Sequence, residues 1–211
     1  KDTRNAKSLI RFLTRLIFVW FLKEKHLVPE ELFDKRRIDK LINYKDKTKS
    51  TYYKAILQNL FFATLNTPMK RDDSKSRIFV DDAERSGYIN DSYLQFGYFR
   101  YKRFFNDHNK FLQLIENIPF LNGGLFECLD DKVNKKEIRI DCFSDNPKNE
   151  SKLTFPDELF FADEKEYDLN KVYDTKNKKY KVKGIFNILN SYKFTVAENT
   201  PIEEEIALDP E

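Results

Sequence analysis

The stretch Ile118–Asp130, IPFLNGGLFECLD, decides how this chain reads. It places two of the five glycines side by side between apolar residues. Pro119 bends the chain, and Asn122-Gly123-Gly124 can enter backbone regions closed to most other residues. Leu121, Leu125, Phe126 and Leu129 can pack on either side of such a turn. The pattern predicts a buried bend with Gly123 or Gly124 at positive φ. It joins a helical part, residues 1–117, to a mixed part of the same domain, residues 118–194. Residues 195–211 are an acidic segment beyond both. The expected fold class is mainly α with a small β portion (α+β): a helical, bundle-like N-terminal half and short strands with a hairpin in the C-terminal half.

Composition supports a packed core. Of the 211 residues 40% are hydrophobic, and 20 Phe with 11 Tyr bring large burial per side chain. Charged residues, 35% of the chain, imply a well-solvated surface. The net charge of +3 is unevenly spread: residues 1–55 hold 15 basic and 7 acidic residues, whereas 195–211 hold 6 acidic and no basic ones. Such asymmetry fits a module with one side facing a polyanion, although surface solvation explains it too. Cys128 and Cys142 form no Cys-x-x-Cys pair and read as free thiols in a reducing cytoplasm. No signal peptide is visible, and the apolar run Leu16–Leu22 is far short of the roughly 20 residues of a membrane span. The only Met is Met69, and the opening and closing residues read as those of a fragment from a longer protein.

Along the chain, Ser8 is placed to cap a helix that is apolar nearly all round through Phe21 and ends near His26. Arg11 and Arg15 stand one turn apart on its remaining face. Pro29 opens a second helix through about Asn43. Ser50 or Thr51 caps a third, Tyr52–Leu65, with Ala55, Ile56, Leu60, Phe61 and Ala63 as its apolar side. An aromatic-rich stretch runs to Phe105, and a helix follows over Asp107–Asn117. Past the glycine pair, Glu137–Phe143 alternates as a strand does. Leu153–Phe161 holds a short extended piece. Lys171–Tyr173 and Tyr180–Val182 flank a hairpin tip, Asp174–Lys179. Gly184 or its predecessor opens a helix over Ile185–Tyr192. Thr200-Pro201 with Glu203–Glu205 reads as another helix start.

Several motifs resemble catalytic ones. Pro156-Asp157 followed by Asp163-Glu164-Lys165 has the letters of a nuclease site, in which acids hold Mg²⁺ and a lysine steadies the attacking water or the phosphate. Only five residues separate the halves, so a solvated acidic loop is the plainer explanation. Asn122-Gly123-Gly124 suggests a cofactor loop, but no strand precedes it. His26 and His108 lack partners at metal-ligand spacing and suit surface or cap roles. Two basic features suggest phosphate contacts. Lys176, Lys178, Lys179 and Lys181 gather at the hairpin tip beside Tyr173 and Tyr180, and Arg100, Lys102 and Arg103 interleave with aromatics. A solvated lysine-rich loop is the alternative for each.

Three groups of stretches resemble one family: LTRLIFVWFLKEKHLVPEELF at 13–33; STYYKAILQNLFFATL at 50–65 with IPFLNGGLFECLD at 118–130; and YKFTVAENTPIEEEIALDPE at 192–211. Together they resemble the region just upstream of the methyltransferase core in type IIG restriction–modification enzymes, bacterial single-chain proteins that join an endonuclease to an adenine-N6 DNA methyltransferase. The resemblance implies a cytoplasmic phage-defence protein whose whole form uses S-adenosylmethionine and Mg²⁺. It implies a non-catalytic helical spacer here, with no cofactor or metal of its own. The spacer's partners would be the parent's nuclease and methyltransferase domains and, weakly and without sequence preference, double-stranded DNA. The family's cofactor and catalytic motifs are not present, so no catalytic residue carries over. A scaffold that never touches DNA is the rival. The remaining alternative is a nuclease acting through Asp157, Asp163, Glu164 and Lys165.

Overall fold

The computed structural model describes residues 2–43, 50–67, 77–79, 99–121, 124–129, 131–133, 136–138, 154–195 and 207–210. The chain divides into two compact units, Lys1–Phe155 and Pro156–Glu211. The architecture is mainly α with a small β portion, in three two-stranded antiparallel pairings among the described residues.

The first unit opens with α1, Asp2–Glu24. It begins six residues before the Ser8 cap expected from sequence, because the Arg, Ala and Lys ahead of Ser8 are themselves good helix formers. Its C-terminus closes at His26, which takes a left-handed conformation, φ 58. The His26 N–H donates to Lys23 O at 2.9 Å and the Leu27 N–H to Leu22 O at 2.9 Å. That pair of bonds is a Schellman motif, and it satisfies carbonyls the helix end would otherwise leave orphaned. α1 is not buried all round, as its apolar run suggested. Phe12, Leu16, Val19, Trp20 and Leu22 are buried, while Ile10 and Ile17 face solvent.

The element buried on every side is the next long helix, Tyr53–Leu65, which is wound as a π-helix. This winding is rare beyond a single turn. Every residue in it is buried, polar ones included. Two hydroxyls support its C-terminal turns: Thr64 Oγ1 donates to Asn59 O and Thr67 Oγ1 to Phe62 O, each at 2.9 Å and five residues back. α1 lies on it through the edge-on Phe12–Tyr53 pair at 5.7 Å and the Arg15 guanidinium 4.9 Å above Phe62. Phe155 stacks on Phe12 at 4.4 Å, and its N–H donates to Ser50 Oγ at 2.9 Å. The hydroxyl placed to cap the buried helix thus holds the end of the first unit.

Between these helices the expected single helix over 29–43 is divided. A 3₁₀ turn, Glu30–Leu32, precedes α2, Lys35–Leu41. Asp34 makes the break, because its carboxylate accepts the Arg37 N–H at 2.9 Å and starts a new helix. α3, His108–Ile115, starts on Asp107, which accepts from the Asn109 and Lys110 N–H groups. Arg77 lies at the ends of two helices: Nη1 donates to Ile115 O and Glu116 O, and Nη2 to Thr64 O. A cation there offsets the helix dipoles, although burial pushes the Arg77 pKa down. Strands β1, Asp131–Val133, and β2, Lys136–Ile138, pair antiparallel. β2 includes the first residues of the strand expected over 137–143; residues 139–143, Cys142 among them, lie outside the described residues.

In the second unit the extended piece expected near residues 159–161 is instead one helical turn, α4, Glu158–Phe161. After it come β3, Lys165–Tyr167, β4, Tyr180–Val182, and α5, Ile185–Leu189. α5 ends three residues before Tyr192, where β5, Tyr192–Thr195, pairs with β6, Ala207–Pro210. The helix start expected at Thr200-Pro201 lies outside the described residues. Phe160 and Phe186, 5.7 Å apart and both buried, anchor this small core. The backbones meet closely at Gly184. Its N–H donates to Ala162 O at 2.7 Å, and a Cβ there would come within 2.6 Å of Phe160 O and Ala162 N. Only glycine fits such an approach.

Candidate nucleic-acid interface

The lysine-rich hairpin exists, but its arms differ from those expected. β4 pairs with β3 in the register Lys165↔Val182, Glu166↔Lys181 and Tyr167↔Tyr180. Lys171–Tyr173 is not an arm. It lies in the long connection, residues 168–179, where the chain turns instead of extending. The reason is Asp168-Leu169-Asn170. The Asp168 carboxylate accepts the Asn170 N–H at 3.0 Å and its Nδ2 at 2.6 Å. Those bonds, the backbone one first, hold the Asp168 pKa below the ordinary carboxylate value. This local pairing competes with strand formation.

Asn170 then organises the connection from inside. Its Nδ2 also donates to Lys178 O at 2.8 Å, and its Oδ1 accepts the Lys178 N–H at 3.0 Å and the Thr175 hydroxyl at 2.9 Å. The Asn170 amide therefore pairs with Lys178 as a neighbouring strand would. Val172 and Tyr173 N–H groups both donate to Leu169 O. Asp174 and Asn177 sit at positive φ, 49 and 56. Asp and Asn adopt that region more readily than most residues.

Held this way, the lysines point to solvent. Lys176 and Lys178 are exposed, with no ion pair among the described residues. Lys179 Nζ lies 2.9 Å from Glu166 and Lys181 Nζ 3.0 Å from Glu164. The Glu164 hydrogen bond, and then its charge, raise the Lys181 pKa. Both pairs are open to water, and such solvated pairs hold their partners only weakly. A phosphate can displace them at little cost. Tyr173 leans on Tyr180, ring centroids 5.1 Å apart, and Tyr180 OH lies 2.6 Å from Thr175 Oγ1.

The second basic cluster, in the other unit, is built differently. Arg100 is clamped by the buried Asn59: its N–H donates to Asn59 Oδ1, and its carbonyl accepts from Nδ2, both at 2.9 Å. Nε and Nη1 of Arg100 are shut away from solvent. Tyr101, at φ 62, stacks on Phe104 at 5.3 Å, and Arg103 lies 5.0 Å above Phe104. Lys102 and Arg103 are exposed. The aromatics here serve packing, and two of the three cations face outward.

At the glycine pair, Asn122 and Gly123 lie outside the described residues. Gly124 is exposed and is not at positive φ, and a Cβ there would meet only Glu127 Oε2 at 4.0 Å. The expectation of a strained, buried glycine is therefore not met at Gly124. What is buried is Phe126 and Cys128 in the strap that follows it. Arg15 Nε donates to Leu125 O, and Arg15 Nη2 and Arg11 Nη2 both donate to Glu127 O, each at 2.7 Å. Phe126 is buried between Phe18 and Phe61, 5.9 and 5.8 Å away. Ile118 is buried after α3, and the Leu121 N–H donates to Leu65 O at 2.8 Å. The sequence does signal the clamp, through two arginines one turn apart on an otherwise apolar helix.

S-adenosylmethionine and Mg²⁺ are expected of the parent's catalytic parts and of no residue in this piece. The glycine pair follows α3 and Pro119 rather than a strand, so it does not suit S-adenosylmethionine. For Mg²⁺, no three His, Cys, Asp or Glu side chains among the described residues converge. Asp157 precedes α4, Asp163 and Glu164 are exposed, Glu164 pairs with Lys181, and Lys165 begins β3. Among the described residues no helix is long and apolar enough to cross a membrane.

No protein-family model and no solved structure matches the chain. A Methanocaldococcus jannaschii protein provisionally named a type II restriction enzyme and methyltransferase is 27% identical over 209 residues, 97% of this chain. The chain spans 11% of that protein's length. This chain is thus distantly similar to a small part of a restriction–modification protein.

Proposed function

We propose that this chain is a non-catalytic connector within a restriction–modification protein. It joins an endonuclease to an adenine-N6 DNA methyltransferase and touches the DNA backbone through its second unit. S-adenosylmethionine and Mg²⁺ belong to the parent's catalytic parts. One observation carries the DNA contact: Lys176, Lys178 and Lys179 stand on a connection whose backbone is stapled by Asn170, and Lys181 on the adjoining strand β4, so little backbone ordering entropy opposes their use. The distant relative supports the restriction–modification setting.

The test is DNA binding by the 211-residue chain across a salt series. Each lysine on a phosphate releases counterions, so log Kd should change by about 0.9 per log salt for each contact, with Kd in the range of about 10⁻⁴–10⁻⁶ M. Changing all four lysines to Gln should remove most of the binding and flatten the slope. Absence of binding at about 20 mM salt, where screening is weak, establishes the rival, a connector that only sets the spacing of the catalytic parts. Binding that survives the fourfold change moves the contact to Lys102 and Arg103 or to the basic N-terminal quarter.

A further inference from the structure

The hairpin connection offers more than charge. Val172 is 72% and Tyr173 59% exposed, a large apolar surface for a loop fixed by its own hydrogen bonds. Tyr173 is held at its backbone by Leu169 O and at its ring by Tyr180, whose hydroxyl is tied to Thr175. Much of its ring remains open to solvent. Lys171 and Lys176 flank it in sequence, and both are exposed. A prearranged aromatic face among cations matches the chemistry of an unpaired nucleotide: the ring stacks on the base, and the lysines hold the phosphates on either side. A stacked duplex hides its base faces and can offer this ring only its edges and backbone.

We infer that Tyr173 is a base-stacking residue, and that the hairpin connection prefers unpaired nucleotides over perfect duplex. This rests on the nucleic-acid reading above and names the form of the ligand. It also gives the tyrosine a role that a purely electrostatic contact leaves unused. Because every base has a π-face, the preference is for strand state and not for sequence.

The experiment uses the 211-residue chain with three ligands of equal length: a perfect duplex, the same duplex with a short unpaired loop, and the single strand. A 2-aminopurine stands in the unpaired region as a stacking reporter. The native chain should bind the two ligands with unpaired bases more tightly than the duplex and quench the reporter. Tyr173→Leu keeps apolar contact with Tyr180 but removes the aromatic face. It should weaken unpaired-base binding by about 5- to 150-fold, the range for one stacked base, and by at least fivefold more than it weakens duplex binding. Tyr173→Phe should restore both affinity and quenching. Equal affinity for all three ligands, or a Tyr173→Leu chain that still quenches, overturns the stacking role while leaving the lysine contact standing. Loss of all binding in the native chain overturns both. Far-ultraviolet circular dichroism and the unchanged amide signals of Asn170 and Lys178 show that the variants keep the hairpin.

Discussion

Two stretches without regular structure, residues 124–129 and 168–179, are held by opposite means. The first is clamped from outside. Arg11 and Arg15 of α1 bind its carbonyls, and Phe126 is sunk between Phe18 and Phe61. The second is held from within, by one asparagine that pairs with a residue eight positions on. The first stretch has buried its main side chain and acts as structure. The second keeps Val172, Tyr173, Lys176 and Lys178 exposed to solvent. A loop stapled by its own polar atoms leaves its surface available, whereas a loop held by another element's side chains gives its surface up to that contact.

The strongest way to break this comparison is Arg15→Ala. Arg15 is 2% exposed and satisfies two carbonyls while covering Phe62. Removing it leaves Leu125 O without that donor, leaves Glu127 O with Arg11 alone, and opens a cavity beside Phe62, so unfolding free energy should fall by roughly 3 kcal/mol or more. Denaturant titration measures this. A loss below about 1 kcal/mol would mean the strap is not clamped by α1.

Next in size is Gly184→Ala. The added methyl meets backbone at 2.6 Å, which cannot yield as a side chain would. The expected cost is roughly 1–3 kcal/mol, read as faster amide exchange at Gly184, Asn187 and Asn190 in the second unit. Unchanged exchange would show that α4 and α5 can move apart freely.

Asn170→Ala should cost about 1–2 kcal/mol locally, since a half-exposed group loses several modest hydrogen bonds. It should show as rapid proteolysis within residues 168–179. Acid offers a milder probe of the same staple. The Asp168 pKa is lowered in the folded chain, so its contribution is present above the ordinary Asp value of about 3.9 and is lost as pH falls through the lower folded value. The Asn170 amide signals should therefore hold steady down to pH about 4 and shift only below it. A transition centred above pH 4 would remove Asp168 from the staple.

The smallest effect is expected at Gly124→Ala, within about 0.5 kcal/mol, because the position is exposed, lacks positive φ and has open space around it. A loss above 1 kcal/mol would place strain in the glycine pair after all.

The sequence by itself determined the helical class, the helix end at His26 and the presence of a helix after Asp107. It also determined the importance of the stretch around Phe126 and the clustering of cations near residues 176–181. These follow from periodicity, turn chemistry and composition, all of which act over a few residues. The tertiary structure decided what depends on distant partners. It decided which long helix is buried on all sides: α1 has the more continuous apolar run, yet the π-helix is the one enclosed, because burial is set by what packs around an element. It decided that Arg11 and Arg15 reach carbonyls more than a hundred residues away. It decided that β4 pairs with Lys165–Tyr167 rather than with 171–173, because the Asn170 amide captures the intervening chain. It also made Gly184, and not Gly124, the glycine without room for a side chain. Close approach of two backbones is a property of the packed pair and leaves no mark in either local sequence.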